Sequence, residues 1–277
     1  IDQHLRIRIK YLGVLTMFNG MDITQTQYYI KIHCTTYLNK IIHQHNWQES
    51  THKPYQIPYP ADNTYCKILD TALPPDTVQS QKQLSKHHNM HYRQIIGEFI
   101  WPMIKCRPDI SFHITKLSQF MANPAEAHYQ ALRHVAYYLA NTIDHGIYYW
   151  RDQPRQDLPQ HPLPTTFPDT YRYKTDPTNS ENFLTAYADS DWGTCRKTRN
   201  AITGAAILVA GGVVGYKTKF QHAIALSSTE AEWVAACDTG RMILYYRALL
   251  DDLPRTHRSF SLQSIHQHHV LLGLGLE

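Results

Sequence analysis

The stretch Leu184-Thr185-Ala186-Tyr187-Ala188-Asp189-Ser190-Asp191-Trp192 decides the fold. Its first five residues alternate with the two-residue period of a strand, and the strand ends in two carboxylates. Working outward, Ala201 to Val209 reads as a second strand. Gly211-Gly212 turns into a third from Val213 to Lys217, and Ala223 to Leu226 reads as a fourth. Ser227-Ser228-Thr229 then opens a long helix to about Leu253. Strands followed by a helix, with acids at a strand end and a helix start, predict an α/β (α+β) domain over 180–253. Its expected form is a mixed sheet carrying the long helix, with a site at the sheet edge.

Prolines divide the rest of the chain. Residues 50–75 hold five of the 15 prolines, and residues 151–179 hold six with no glycine. Proline fixes φ and removes a backbone donor, so such density opposes helix and internal strand. We therefore read 50–85 and 151–179 as linkers or extended coil. Within 1–49, Tyr11 to Leu15, Met21 to Ile23 and Tyr28 to Ile32 look like strands. Asn19-Gly20 is a dipeptide that tolerates positive φ in a hairpin. Tyr37, Leu38, Ile41 and Ile42 then recur at helical spacing.

Residues 86–150 read as mainly helical. Ile95, Ile96, Phe99 and Ile100 share one face of a helix over 91–105, which Pro102 is expected to kink or end. Asp109 is placed to cap a second helix bearing Ile110, Ile114, Leu117 and Met121. The third helix has Asn123 as N-cap, Pro124 at N1, Glu126 at N3 and a stripe of Leu132, Val135, Ala136 and Leu139. Gly146 precedes a short strand, Ile147 to Trp150.

Composition narrows the class. Hydrophobic residues make up 43% of the 277, enough for a core, which excludes wholesale disorder. No run approaches the ~20 apolar residues of a membrane span. The start, Ile1-Asp2-Gln3-His4, lacks the apolar region of a signal peptide and an initiator Met, so a fragment is expected. The net charge of +4 is compatible with a nucleic-acid partner without arguing for one. The five cysteines (34, 66, 106, 195, 237) form no C-x-x-C pair and read as free, mostly buried thiols in a reducing compartment. The 18 histidines show no structural zinc spacing and read as surface residues.

The residues that can carry chemistry are Asp189, Asp191, Glu230 and Glu232. An acid leaving a strand and another in the first turn of the next helix can converge on Mg²⁺, which takes hard oxygen ligands. Two such ions can hold the attacking and leaving oxygens of a phosphodiester cleavage. A plainer reading stands beside this one. Glu230 lies three residues after Ser227, and Glu232 three after Thr229, as in capping boxes. Asp191 can cap the turn before Trp192. Arg196, Lys197, Arg199, Lys217 and Lys219 form a basic cluster suited to nucleic-acid phosphates or to solvent. The paired tyrosines, such as Tyr28-Tyr29 and Tyr148-Tyr149, read as core and rim rather than as stacking platforms.

Three stretches together resemble the ribonuclease H region of copia-type LTR retrotransposon Pol polyproteins. They are Tyr187 to Trp192, Lys197-Thr198-Arg199-Asn200-Ala201-Ile202-Thr203-Gly204, and Ala225-Leu226-Ser227-Ser228-Thr229-Glu230-Ala231-Glu232. Upstream, Tyr92 to Gly97 and Cys106 to Phe112 resemble motifs of the same family's reverse transcriptase, and Tyr11-Leu12-Gly13 resembles one just after its polymerase site. The resemblance spans about residues 8 to 253, in the family's order. It implies that Asp189 and Glu232 are the catalytic, metal-binding pair, with Asp191 and Glu230 as further candidate ligands of Mg²⁺. Glu232 matches better than Glu230 because a small residue, Ala235, follows three positions later. The resemblance also implies that 1–49 ends the polymerase palm and starts the thumb. Residues 86–150 would be thumb and connection, holding template–primer. The setting it implies is intracellular: cytoplasm, virus-like particle or nucleus.

The departures carry equal weight. The sole Asp-Asp, Asp251-Asp252, ends a helix and is not the polymerase hairpin. No Asp or Asn occurs in 254–277, where the family places a further aspartate. Asp238 is no substitute, lying about 240° around the helix from Glu232. The loss of pattern after Leu253 suggests a frameshift or a misplaced exon boundary, with a tail expected to pack poorly. Three readings follow: a polyprotein fragment inactive as written, a working Mg²⁺-dependent ribonuclease H, or a non-catalytic nucleic-acid-binding module.

Overall fold

The computed structural model describes residues 14–47, 55–60, 63–151, 155–159, 184–192 and 199–252. The expected strand at Tyr11 to Leu15 lies mostly outside them, and the tail 254–277 entirely so. The architecture is α+β, with two antiparallel sheets and a helical layer. Among the described residues, no helix is long and apolar enough to cross a membrane.

The first sheet runs β1 (Met17–Phe18), β2 (Met21–Gln25), β3 (Tyr29–His33) and β4 (Gly146–Trp150), in that order. Asn19 and Gly20 adopt φ of 50° and 78°, the two left-handed positions that a two-residue hairpin turn requires. β4 arrives from more than a hundred residues away and aligns Tyr29 with Trp150 and Ile32 with Ile147. Strand alternation sends Ile32, Ile147 and Tyr149 toward the helices. Tyr29, Lys31, Tyr148 and Trp150 share the other face.

The core is built by α1 (Thr35–Gln44), α4 (Tyr92–Lys105), α5 (Ser111–Ser118) and α6 (Glu126–Asn141). Leu38, Ile41, Ile95, Ile96, Phe99, Ile114, Leu132, Val135 and Leu139 are all buried in one cluster. Each such side chain contributes roughly 1.5–3 kcal/mol of transfer free energy before entropy is counted.

Several local expectations are corrected. The stretch 50–85 is not a linker: it holds α2 (Asn63–Thr71) and the start of α3 (Val78–His88). Its described prolines (58, 60, 74, 75) stand outside the helices, so a window average hid two proline-free runs. Leu69 from this stretch is buried in the core, and Asp70 pairs with the fully buried Lys116 at 2.8 Å. Pro102 does not end α4, which runs three residues further. Its ring displaces the carbonyl four residues earlier, Glu98 O, and that oxygen accepts the Tyr37 hydroxyl instead. Asp109 does not cap α5; it sits in a 3₁₀ turn, Pro108–Ile110. α6 starts later than expected: Ala125 is its N-cap, and the Ala125 N–H donates to His128 Nδ1 at 2.8 Å. Asn123 accepts from the Gln81 amide.

The second sheet runs β5 (Thr185–Asp191), β6 (Ile202–Val209) and β7 (Gly212–Phe220), followed by α7 (Ser228–Asp251). It was expected to be mixed; among the described residues every pairing is antiparallel. Ala223 to Leu226 is not a strand. Its polar groups are taken locally: Ala225 O accepts the Trp192 indole N–H at 3.0 Å, and the Leu226 N–H donates to Glu230 at 2.7 Å. The two sheets meet at the β6–β7 turn, where the Trp150 N–H donates to Ala210 O and the Tyr149 hydroxyl to Val213 O. A Cβ on Gly212 would stand 2.5 Å from the Tyr149 ring, so only glycine permits this approach.

The cysteine expectation is also corrected. Cys34, before α1, and Cys106, after α4, are joined in a disulfide across 72 positions. Cys66 is buried and Cys237 exposed. Spacing could not reveal this pair, because its two members meet only when α1 packs beside α4.

Candidate functional site

Pairing register determines where each candidate acid points. Asp189 stands opposite Gly204, which stands opposite Thr218, so these three share a sheet face. That face is turned toward α5, where Ser111 and Thr218 hydroxyls are 2.9 Å apart. Ser190, Thr203 and Lys219 form the next row, on the opposite face, with Ala205 and Lys217 beside them. α7 packs on this second face. Lys217 Nζ lies 2.5 Å from Asp238 Oδ2, Gln221 Nε2 bridges Thr203 Oγ1 and Ala231 O, and Tyr246 lies against Gly215.

Asp189 and Asp191 therefore leave the sheet on the face opposite α7, which bears Glu230 and Glu232. Asp189 is exposed, and its Oδ1 accepts its neighbour Ser190 N–H at 2.9 Å. Asp191 is half-buried opposite Ile202. Glu230 works as a cap: its N–H donates to Ser227 Oγ at 3.1 Å, while its carboxylate accepts the Leu226 N–H. That is the plainer of the two readings offered by its spacing, with Leu226 rather than Ser227 as the donor. Glu232 is half-buried beside the fully buried Ala231. Among the described residues, no group of three or more His, Cys, Asp and Glu side chains is arranged to hold a metal ion. Mg²⁺ keeps its waters unless several oxygens displace them, and among the described residues Asp189 and Glu230 leave their elements in different directions, Glu230 toward the Leu226 N–H.

The basic candidates separate in the same way. Arg196 and Lys197 lie outside the described residues. Arg199 is exposed, with a φ of 58°. Lys217 is engaged by Asp238, whose hydrogen bond with that lysine holds its carboxyl below the usual range. Lys219 is exposed. Lys217 and Lys219 line a cleft between α5 and β7, together with Ser111, Thr115, Tyr216 and Tyr246.

Sequence reasoning missed a buried polar cluster around Arg107. The Arg107 guanidinium is 1% exposed. It donates to both Asp109 oxygens, to Thr142 Oγ1 at 2.7 Å and to Thr142 O at 2.9 Å. The Tyr138 hydroxyl donates to Asp109 Oδ2 at 2.8 Å. Burial pushes the Asp109 carboxyl up, but the Arg107 and Tyr138 bonds outweigh it and hold the group low. Arg-Pro-Asp was the available signal, since a fork two residues from a carboxylate invites pairing across the proline. These residues tie the 3₁₀ turn to the end of α6.

No family model matches the chain, and no solved structure matches it. Among curated proteins, it is 24% identical over 247 residues to the retrovirus-related Pol polyprotein from transposon TNT 1-94 of Nicotiana tabacum, covering 88% of this chain and 16% of that protein. It is 30% identical over 162 residues to the Pol polyprotein from transposon RE1 of Arabidopsis thaliana, covering 58% of this chain and 9% of that protein. It is 29% identical over 147 residues to a secreted RxLR effector protein of Plasmopara viticola, covering 53% and 84%. The chain thus spans less than a fifth of either of these two polyproteins.

Proposed function

Since the chain belongs to the copia-type retrotransposon Pol polyproteins, we propose that it is the thumb, connection and ribonuclease H-like part of one, binding nucleic acid without cleaving it. It corresponds to a fragment of such a polyprotein. Residues 1–49 and 86–150 supply the thumb and connection, and 180–253 the ribonuclease H-like part. The ligand is an RNA–DNA hybrid or template–primer.

One observation carries the inactive reading: Asp189 leaves β5 on the face opposite α7, while Glu230 is committed to the helix cap. Two-metal hydrolysis needs carboxylates converging on one point. Binding rests on the exposed Lys219 and Arg199 and on the cleft beside β7. Phosphate contacts of this kind are electrostatic and weaken steeply with salt.

The test is incubation of the full chain with a labelled RNA–DNA hybrid and Mg²⁺, beside its Asp189→Asn and Glu232→Gln variants. We expect retention of the hybrid at low salt and no cleavage by any of the three. Cleavage by the parent that disappears in Asp189→Asn would establish the alternative, a working ribonuclease H.

A further inference from the structure

A helix that lies on a sheet normally turns charged side chains to water on its far side. α7 does not. Ala231, Ala235 and Thr239 are its buried residues. At about 100° per residue, Trp233, Cys237, Gly240, Leu244 and Ala248 form a stripe about 80° wide on the opposite side of the helix. Trp233 is 66% and Leu244 65% exposed, and Cys237 and Ala248 are exposed as well. A Cβ added at Gly240 would meet nothing within 4 Å, so the helix backbone itself is open there. Between residues 233 and 248 the stripe holds no charged residue. An exposed apolar surface of this kind, rimmed by polar side chains, marks a contact site.

We propose that α7 pairs with α7 of a second copy of this chain, antiparallel, about a twofold axis passing beside Gly240. Two features of the stripe select this occupant. The first is shape. With the axis between Gly240 and Arg241, Trp233 lies opposite the partner's Ala248, and Leu244 opposite the partner's Cys237. Each large side chain then meets a small one. Gly240 stands at the axis, where the two helices come closest and a side chain would hold them apart. A parallel pairing would instead set Trp233 against the partner's Trp233 and Leu244 against the partner's Leu244, and leave a gap at Gly240.

The second feature is charge. Arg247 and Glu232 lie along one flank of the stripe. Neither side chain is paired with an opposite charge among the described residues. In the antiparallel register Arg247 arrives beside the partner's Glu232 and over the partner's Trp233. That is an ion pair and a cation–π contact, each made twice by the symmetry. Two helices touching over about four turns bury less than the ~800 Å² per partner of a standard interface, so the dimer is weak and reversible. The pairing does not depend on nucleic acid.

The experiment is analytical ultracentrifugation of the full chain, without nucleic acid, up to the high micromolar range. We expect a concentration-dependent monomer–dimer equilibrium. Trp233→Glu, at an exposed side chain outside the core, should weaken it about tenfold or more. Arg247→Glu should weaken it severalfold, and the double variant Arg247→Glu/Glu232→Arg should restore the parent's dimerisation. Mild oxidation reads the register. Cys237 and the partner's Cys237 stand about 10 Å apart along the helix axis, too far for a disulfide. The Leu244→Cys chain should instead link to the partner's Cys237, and adding Cys237→Ser should abolish the link. A parent chain that stays monomeric throughout overturns the pairing and leaves the stripe to a different protein. A dimer that survives Trp233→Glu unchanged also overturns it, by placing the contact elsewhere on the chain. A parent chain readily linked through Cys237 alone overturns the antiparallel register.

Discussion

Lys217 on β7 and Asp238 on α7 form an ion pair, Nζ to Oδ2 2.5 Å, on the sheet face opposite the one bearing Asp189. This pair places the helix and partly neutralises a lysine that the basic cluster seemed to offer to nucleic acid. Both side chains are about a quarter to a third exposed, so the pair adds at most about 1 kcal/mol to stability.

Removing that neutralisation should strengthen binding. Asp238→Asn is expected to raise affinity for an RNA–DNA hybrid and to steepen its dependence on log salt by about one contact. Anisotropy titrations at several salt concentrations read both. An unchanged slope would mean that Lys217 does not reach the ligand even when released.

Arg107 is a structural residue by its geometry. Arg107→Ala removes five hydrogen bonds from a buried guanidinium and strands the Asp109 carboxylate. The expected cost is about 3–5 kcal/mol. Arg107→Lys should recover only part of it, because an ammonium cannot fork between Asp109 and Thr142. Urea denaturation of the three proteins measures the difference.

Glu230 and Ser227 should behave as a cap. Ser227→Ala and Glu230→Ala are each expected to cost about 1 kcal/mol in chemical denaturation. Neither should alter a Mg²⁺ titration followed by calorimetry. A Mg²⁺ heat lost in Glu230→Ala would return that residue to the metal site.

His113 predicts an acid-sensitive fold. Its ring is buried on α5 against Tyr59, and burial pushes its pKa down to about 4 from the usual 6.5. In the unfolded chain the ring takes a proton below about pH 6.5, while in the folded chain it stays neutral. Stability is therefore full above that pH and falls progressively as pH drops toward 4, by roughly 3 kcal/mol for a shift of this size. Denaturation between pH 7 and 4 should show this slope, and His113→Gln should flatten it.

The disulfide is open to a direct check. Non-reducing peptide mapping should link Cys34 to Cys106. Closing a loop of 72 residues constrains the unfolded chain by up to about 4 kcal/mol, so reduction should lower the thermal midpoint. Equal midpoints with and without reductant would show that the bond contributes nothing in solution.

Periodicity and turn chemistry carried much of the local structure. Asn19-Gly20, the stripe from Leu132 to Leu139, the strand after Gly146 and the Ser227 cap all stand where their residues placed them. These features arise between neighbours in the chain, where side-chain spacing and φ preference act directly. Misreadings arose where a distant residue changed the local outcome. Pro102 is tolerated inside α4 because Tyr37 satisfies the displaced Glu98 carbonyl. The segment 63–71 folds as a helix because Leu69 and Asp70 find the core and Lys116.

The candidate site divides along the same line. The sequence alone determined which residues are acidic, that Asp189 ends a strand and that Glu230 opens a helix, because each is a local statement. Only tertiary structure decided which sheet face those carboxylates occupy, since a side chain's face follows from pairing register and from where α7 docks. That register turns Asp189 away from α7, and it equally brings Tyr29 beside Tyr148 and Trp150 across more than a hundred residues. Convergence of groups far apart in the chain depends on packing free energy summed over the whole core, which no local pattern encodes.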